Sequence, residues 1–98
     1  MRRVEKVEFD SFEWDENKAL SNFKKHGITF DEAAESLTLP HLEQESNRLG
    51  EIRVLAICPL SHRLIAVVYT MRSEKCRIIS ARTARTNEQR TYRLLYPA

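Results

Sequence analysis

The chain has 98 residues, 42% of them hydrophobic and 31% charged, enough for one small core and too little for two, so a single domain over residues 1–98 is expected. No apolar run approaches the roughly 20 residues of a membrane helix, and "MRRVEKVEFD" has no apolar stretch behind its basic residues, so a soluble, cytoplasmic protein is expected. Net charge is only +2, yet residues 1–52 hold seven Lys/Arg against twelve Asp/Glu and residues 53–98 hold nine against two. That division suggests a basic surface for a polyanion or an acidic partner, unless the acidic half of the domain neutralises the basic half.

Taken in chain order, Val4, Val7, Phe9 and Phe12 to Trp14 predict one short opening strand with imperfect alternation. "DENKALSNFKKHG" predicts a helix: Asp15 can cap it, Ala19, Leu20 and Phe23 form an apolar stripe, and Gly27 supplies a left-handed end. A second helix follows at once, with Thr29 and Glu32 as a capping box and Ile28 with Ala33 as a hydrophobic staple. Phe30, Ala33, Ala34 and Leu37 should face the core, and Pro40 closes the segment. "HLEQESNRLGE" reads as an exposed connection, with a short edge strand around residues 37–42. Three strands are expected over 52–58, 63–71 and 75–82, joined as an antiparallel meander. The last segment, 86–95, predicts a weakly amphipathic helix capped by Thr86 and Gln89, with Tyr92, Leu95 and Tyr96 on one side. The expected fold class is therefore α+β, an antiparallel sheet of about four strands with helices packed on it, in the order β-α-α-β-β-β-α.

Regular pairing of the last hairpin sets Thr70 opposite Arg77, Val68 opposite Ile79, Val67 opposite Ser80 and Ile65 opposite Arg82. Arg77, with Arg72 at the turn, then belongs to one face, and Ser80 with Arg82 to the other. Both faces are apolar in the middle, so one of them is expected to meet a partner.

Cys58 and Cys76 form no CxxC pair, and His26, His41 and His62 lie too far apart in sequence for a ligand motif, so neither a metal nor any other cofactor is expected. No phosphate loop, nucleophile elbow or paired-carboxylate motif is present. What remains are arginines, lysines, a histidine and a tyrosine, a set suited to binding or cleaving a phosphodiester. Such cleavage of RNA needs a base near the 2′-hydroxyl, cations around phosphorus and an acid for the leaving oxygen. Lys25, His26, Arg72 and Arg77 are the candidate catalytic residues, and Arg53, Arg63, Tyr69, Ser80 and Arg82 the candidate RNA contacts. Most have a structural alternative: Lys25 as a solvated charge, His26 as a cap on free helix carbonyls, Arg72 and Arg77 as solvated turn charges, Tyr69 as a core aromatic, Ser80 as a satisfied buried hydroxyl, Arg82 as a tie to the acidic helices.

"FEWDENKALSNFKKHGITFDEAAE", "RLIAVVYTMR" and "RIISARTARTNEQRTY" together resemble the BrnT family of bacterial ribonuclease toxins. The most specific blocks are Phe12 to Asp15, Lys25 to Gly27, Val68 to Thr70 with Arg72, and Arg77 to Arg82, with Glu88 and Tyr92 following. Where the family carries a glycine-containing turn ending in arginine, this chain has "ICPLSHR" and keeps only the final Arg63. The resemblance implies a fold similar to RelE and ParE toxins, metal-independent RNA cleavage that stops translation, and neutralisation by a BrnA-like antitoxin. Operator DNA would be reached only through the antitoxin complex, and a homodimer is the alternative cover for an open sheet face. The rival readings are a non-catalytic member that keeps only the antitoxin-binding surface, and a DNA-binding repressor acting alone. The second is the weaker, because no helix-turn-helix appears.

Overall fold

The computed structural model describes residues 1–5 and 9–97. Among these the elements run β1 (Arg2–Val4), β2 (Ser11–Glu13), α1 (Glu16–His26), α2 (Phe30–Leu37), β3 (His41–Glu45), β4 (Val54–Leu60), β5 (Arg63–Arg72), β6 (Lys75–Thr83) and α3 (Thr86–Leu95). The first two helices have the ends that local chemistry predicts. Asp15 accepts from the Asn17 and Lys18 amides at 2.8 and 3.1 Å, and Gly27 closes α1 at φ 69°. At α2 the Glu32 amide donates to Thr29 Oγ1 at 3.0 Å, and the Thr29 amide donates to the Glu32 carboxylate at 2.9 Å. Ile28 and Ala33 are fully buried beside this box.

The sheet has six strands in the order β1-β3-β4-β5-β6-β2, mixed rather than antiparallel, because β2 joins β6 in parallel. This corrects the expectation of about four antiparallel strands. The opening segment is not one strand but two three-residue pieces that extend opposite edges of the sheet, β1 on β3 and β2 on the first residues of β6. Pieces that short carry too little alternation to be separated by periodicity; Val7 lies outside the described residues. The segment read as an exposed connection also forms a strand, β3, inside the sheet between β1 and β4. Its polar residues hid it, for His41 and Glu43 are buried together with Leu42.

The β5–β6 hairpin turns through Ser73 and Glu74, both at positive φ, and pairs Thr70 with Arg77 as expected. One residue later the ladder slips: Tyr69 faces Ile78 but Val68 faces Ser80, which leaves Ile79 as a β-bulge. Beyond it Val67 faces Ala81, Ala66 faces Arg82, and Ile65 faces Thr83. The regular pairing expected for Ile79, Ser80 and Arg82 is therefore overturned. Since the side-chain period is two, one inserted residue returns Ser80 and Arg82 to the face that carries Arg77.

Each face of the sheet has its own cover. On one, Ile65, Val67, Tyr69, Cys76, Ile78 and Ala81 pack with Ile28 and with Phe30, Ala33 and Leu37 of α2. On the other, Leu42, Ile57, Ala66 and Ala84 meet Tyr92, Leu95 and Tyr96 at the end of the chain. The end of the chain thus covers part of this second face. The cap of α3 lies one residue before the predicted one, at Arg85: the Glu88 carboxylate accepts from the Arg85 amide at 2.8 Å, and Gln89 donates to the Ala84 carbonyl. Tyr96 ties it down, donating to the His41 carbonyl at 3.2 Å while the Arg3 guanidinium lies 4.6 Å from its ring centre. No helix among the described residues is long and apolar enough to cross a membrane.

Candidate active site

Strand β2 covers β6 only over Lys75 to Arg77. Farther along, the side chain of Asn22 on α1 takes the place of a neighbouring strand. Its amide nitrogen donates to the Ala81 carbonyl at 2.8 Å, and its oxygen accepts from the Ala81 amide at 3.1 Å. The same nitrogen lies 3.3 Å from the Ile28 carbonyl. Asn22 is buried, so these bonds satisfy strand groups that would otherwise have no partner. They also fix the rotation of α1. Lys18, Asn22 and Lys25, at i, i+4 and i+7, are one helix face, and that polar face is turned to the strand.

The apolar stripe expected on α1 is correspondingly displaced. Leu20 is 61% exposed and Phe23 50% exposed; with Trp14 and Phe30 they line an open groove whose charged residues are Glu16 and Asp31. Periodicity located the stripe correctly but not what it faces, because a buried asparagine outranks two apolar side chains in setting the helix's orientation here.

Between the polar face of α1 and the bulge of β6 lies a cleft of about 230 Å³ lined by Lys18, Ser21, Asn22, Lys25, His26, Ile79 and Ser80. It brings together two of the candidate catalytic residues, Lys25 and His26, with Ser80 from the candidate RNA contacts. Lys18 joins them and was missed; its spacing of seven from Lys25 was the available signal. Arg77 precedes Ser80 on the same strand face. One guanidinium nitrogen of Arg77 is 3.1 Å from Glu13, and a guanidinium has five N–H donors, so others remain. The cleft thus holds two ammonium groups, an imidazole and hydroxyls, with no carboxylate among the described residues that line it.

The other candidates are placed elsewhere. Arg53 and Arg72 both meet Glu51, at 2.7 and 3.5 Å, and the hydrogen bond from Arg53 leads the effects that hold the Glu51 carboxyl below its ordinary range. Arg82 grips Glu88 with both terminal nitrogens at 2.8 and 2.9 Å; that contact is the main cause of the lowered Glu88 carboxyl. Arg63 is exposed at the turn between β4 and β5. Tyr69 is a core residue, 4% exposed, and donates its hydroxyl to Glu43 at 2.7 Å. Burial, then that bond, pushes its phenol far up.

Glu43 is the centre of a second buried polar group. It lies 2.8 Å from His41 Nε2 and 3.3 Å from Arg2 as well. Because a carbonyl can only accept, His41 Nδ1 donates to Leu39 at 2.7 Å, which fixes the ring. Burial raises the Glu43 carboxyl, but the hydrogen bonds from His41 and Tyr69 and the nearby positive charge outweigh it, leaving a net lowering. Cys58 and Cys76 are buried thiols; desolvation pushes Cys76 up to about 12 and Cys58 higher, so neither offers a thiolate nucleophile. Among the described residues no three His, Cys, Asp or Glu side chains converge as metal ligands.

Residues 14–88 match the family model described as the ribonuclease toxin, BrnT, of type II toxin-antitoxin systems. Among solved structures, the chain is similar to the ribonuclease toxin BrnT of Brucella abortus, at 28% identity and a TM-score of 0.58, over 78% of this chain and 97% of that one. No curated protein matches it. The family match spans the helix and the strand that frame the cleft, Lys18 through Ser80 included. The chain therefore belongs to the BrnT family of ribonuclease toxins of type II toxin-antitoxin systems.

Proposed function

We propose that this chain is an endoribonuclease that cuts RNA in the α1–β6 cleft without a metal ion, and so stops translation. The observation that carries the reading is the convergence of Lys18, Lys25, His26 and Ser80 in one cleft. In the proposed reaction the RNA 2′-oxygen attacks the adjacent phosphorus, a cyclic phosphate forms, and the bond to the 5′-oxygen breaks. The 2′-hydroxyl gives up its proton and the departing 5′-oxygen gains one. Among the groups lining the cleft, the His26 imidazole, whose two ring nitrogens can donate and accept, is assigned these transfers. Lys18 and Lys25 neutralise charge accumulating on the phosphate, and the remaining donors of Arg77 add to it from the strand. Ser80 positions the phosphate through its hydroxyl. Arg53 and Arg82, held by carboxylates, and Tyr69, held in the core, are assigned to structure; Arg72, more loosely paired, belongs to the rim.

The partner that neutralises the chain is an antitoxin similar to BrnA, and operator DNA is contacted through that complex. A second reading, a non-catalytic member that retains only the antitoxin surface, draws support from the pairing of Arg53, Arg72, Arg77 and Arg82 with carboxylates. Expression of the chain alone in bacteria separates the two. The nuclease reading expects arrested growth and fragmented RNA, both relieved by His26→Ala. Normal growth and intact RNA in the presence of soluble wild-type protein would leave only the second reading.

A further inference from the structure

A second cleft, of about 410 Å³, opens between the β4–β5 turn and α3. Arg63 and the imidazole of His62 stand on the turn side, and Arg93 and Gln89 on the helix side. Its floor includes Tyr92 and Tyr96, whose rings are 4.9 Å apart and tilted by 35°. Among the described residues no carboxylate lines it, while Glu5, paired with Arg3, lies beside Tyr96 at its edge. Guanidiniums beside aromatic rings suit a ligand that is both anionic and planar: phosphates for the arginines, a base for the tyrosine wall. An acidic peptide would use the charges and leave the rings without a counterpart.

The place of this cleft supports the same ligand. Ser80 lines the α1–β6 cleft and Thr83 lines this one. They are three residues apart on β6, about 10 Å along the strand, with side chains on opposite faces, so a polynucleotide that joins the two clefts passes around the β6 edge within a few nucleotides. We propose that the Arg63–Arg93–Tyr92 cleft is a second RNA subsite, which holds the single strand beside the scissile phosphate. This rests on the ribonuclease reading above. Arg63 and Arg93 grip backbone phosphates; Tyr92, backed by Tyr96 whose ring Arg3 covers, supplies a surface for a base. Cleavage chemistry stays in the first cleft.

The test is binding of a fluorescein-labelled single-stranded 2′-O-methyl RNA, which cannot be cut, followed by anisotropy at several salt concentrations. Arg63→Ala/Arg93→Ala should weaken binding at least about 10-fold and flatten the log–log salt dependence by about 1.4, the value for two lost phosphate contacts on a single strand. Tyr92→Leu should weaken it about 5-fold or more while Tyr92→Phe keeps wild-type affinity, as stacking requires. Circular dichroism and thermal melting establish that each variant is folded; a Tyr92→Leu chain that does not fold leaves the arginine pair to decide. Wild-type affinity and salt slope in the arginine pair would overturn the subsite while leaving the nuclease reading intact if wild type cuts RNA. Binding of duplex DNA as tight as that of the RNA, with the same losses, would overturn it in favour of a DNA surface. Wild-type protein that neither binds nor cuts RNA would overturn both.

Discussion

Asn22 shows how one side chain can set the position of a helix. Its amide supplies both partners of Ala81 on the open edge of β6, and so holds Lys18, Lys25 and His26 over the bulge. Asn22→Ala should leave the Ala81 N–H and C=O without their protein partner, at a cost of about 1–3 kcal/mol by urea denaturation. RNA cleavage should fall by more than the unfolded fraction explains, because the cleft loses its alignment. His26→Ala should behave differently: its side chain is exposed and proposed to carry a proton, so cleavage should drop by about 10²-fold or more with a stability change under about 0.5 kcal/mol. Steady-state cleavage of a defined RNA, measured beside the denaturation curves, checks both. Glu43 makes a prediction in pH. Folded Glu43 takes up its proton only below its ordinary value of 4.5, so its contribution to stability is complete above that value and is lost as pH falls through the lower folded one. Glu43→Gln should therefore remove part of the loss of stability below pH ~4.5, seen as convergence of the two proteins' melting temperatures in acid. Neither Asn22 nor Glu43 stands out in the sequence, for each draws its importance from residues 59 and 26 positions away, Ala81 and Tyr69.

Elements whose signals are local were legible. Asp15, Gly27, Thr29 and Glu32 mark the ends of α1 and the start of α2, because caps are made by residues within a few positions of one another. Thr29→Ala should accordingly cost about 1 kcal/mol in a urea melt, and Thr29→Asp, which can still cap, should recover most of it. The long strands β4, β5 and β6 were likewise read to within about two residues. Elements that exist only through pairing were not. β1 and β2 have three residues each and are strands only because β3 and β6 offer them edges. The bulge at Ile79 is a property of two strands at once, and missing it put Ser80 and Arg82 on the wrong face. The candidate site suffered in proportion: Lys25 and His26 share a short helix end and were found together, whereas their meeting with Ser80 depends on that bulge and on Asn22.

At the scale of the whole molecule, the division of charge along the sequence is partly undone by folding. Glu13 and Glu51, from the acidic half, meet Arg77, Arg53 and Arg72, so the strand arginines contribute less to the outer field than their number suggests. The lysines of α1 and the exposed Arg63, Arg85, Arg90 and Arg93 contribute more. This distinction can be measured by salt. Each phosphate contact on a single strand adds about 0.7 to the slope of log affinity against log salt. Lys25→Ala should therefore reduce that slope by about 0.7 for an uncleavable RNA, whereas Arg53→Ala, whose partner Glu51 already satisfies it at 2.7 Å, should leave the slope unchanged. Equal reductions by the two variants would mean that RNA competes Arg53 away from Glu51 and that the ion pairs seen in the isolated chain open on binding. No reduction by Lys25→Ala would remove the α1–β6 cleft from the path of the RNA backbone.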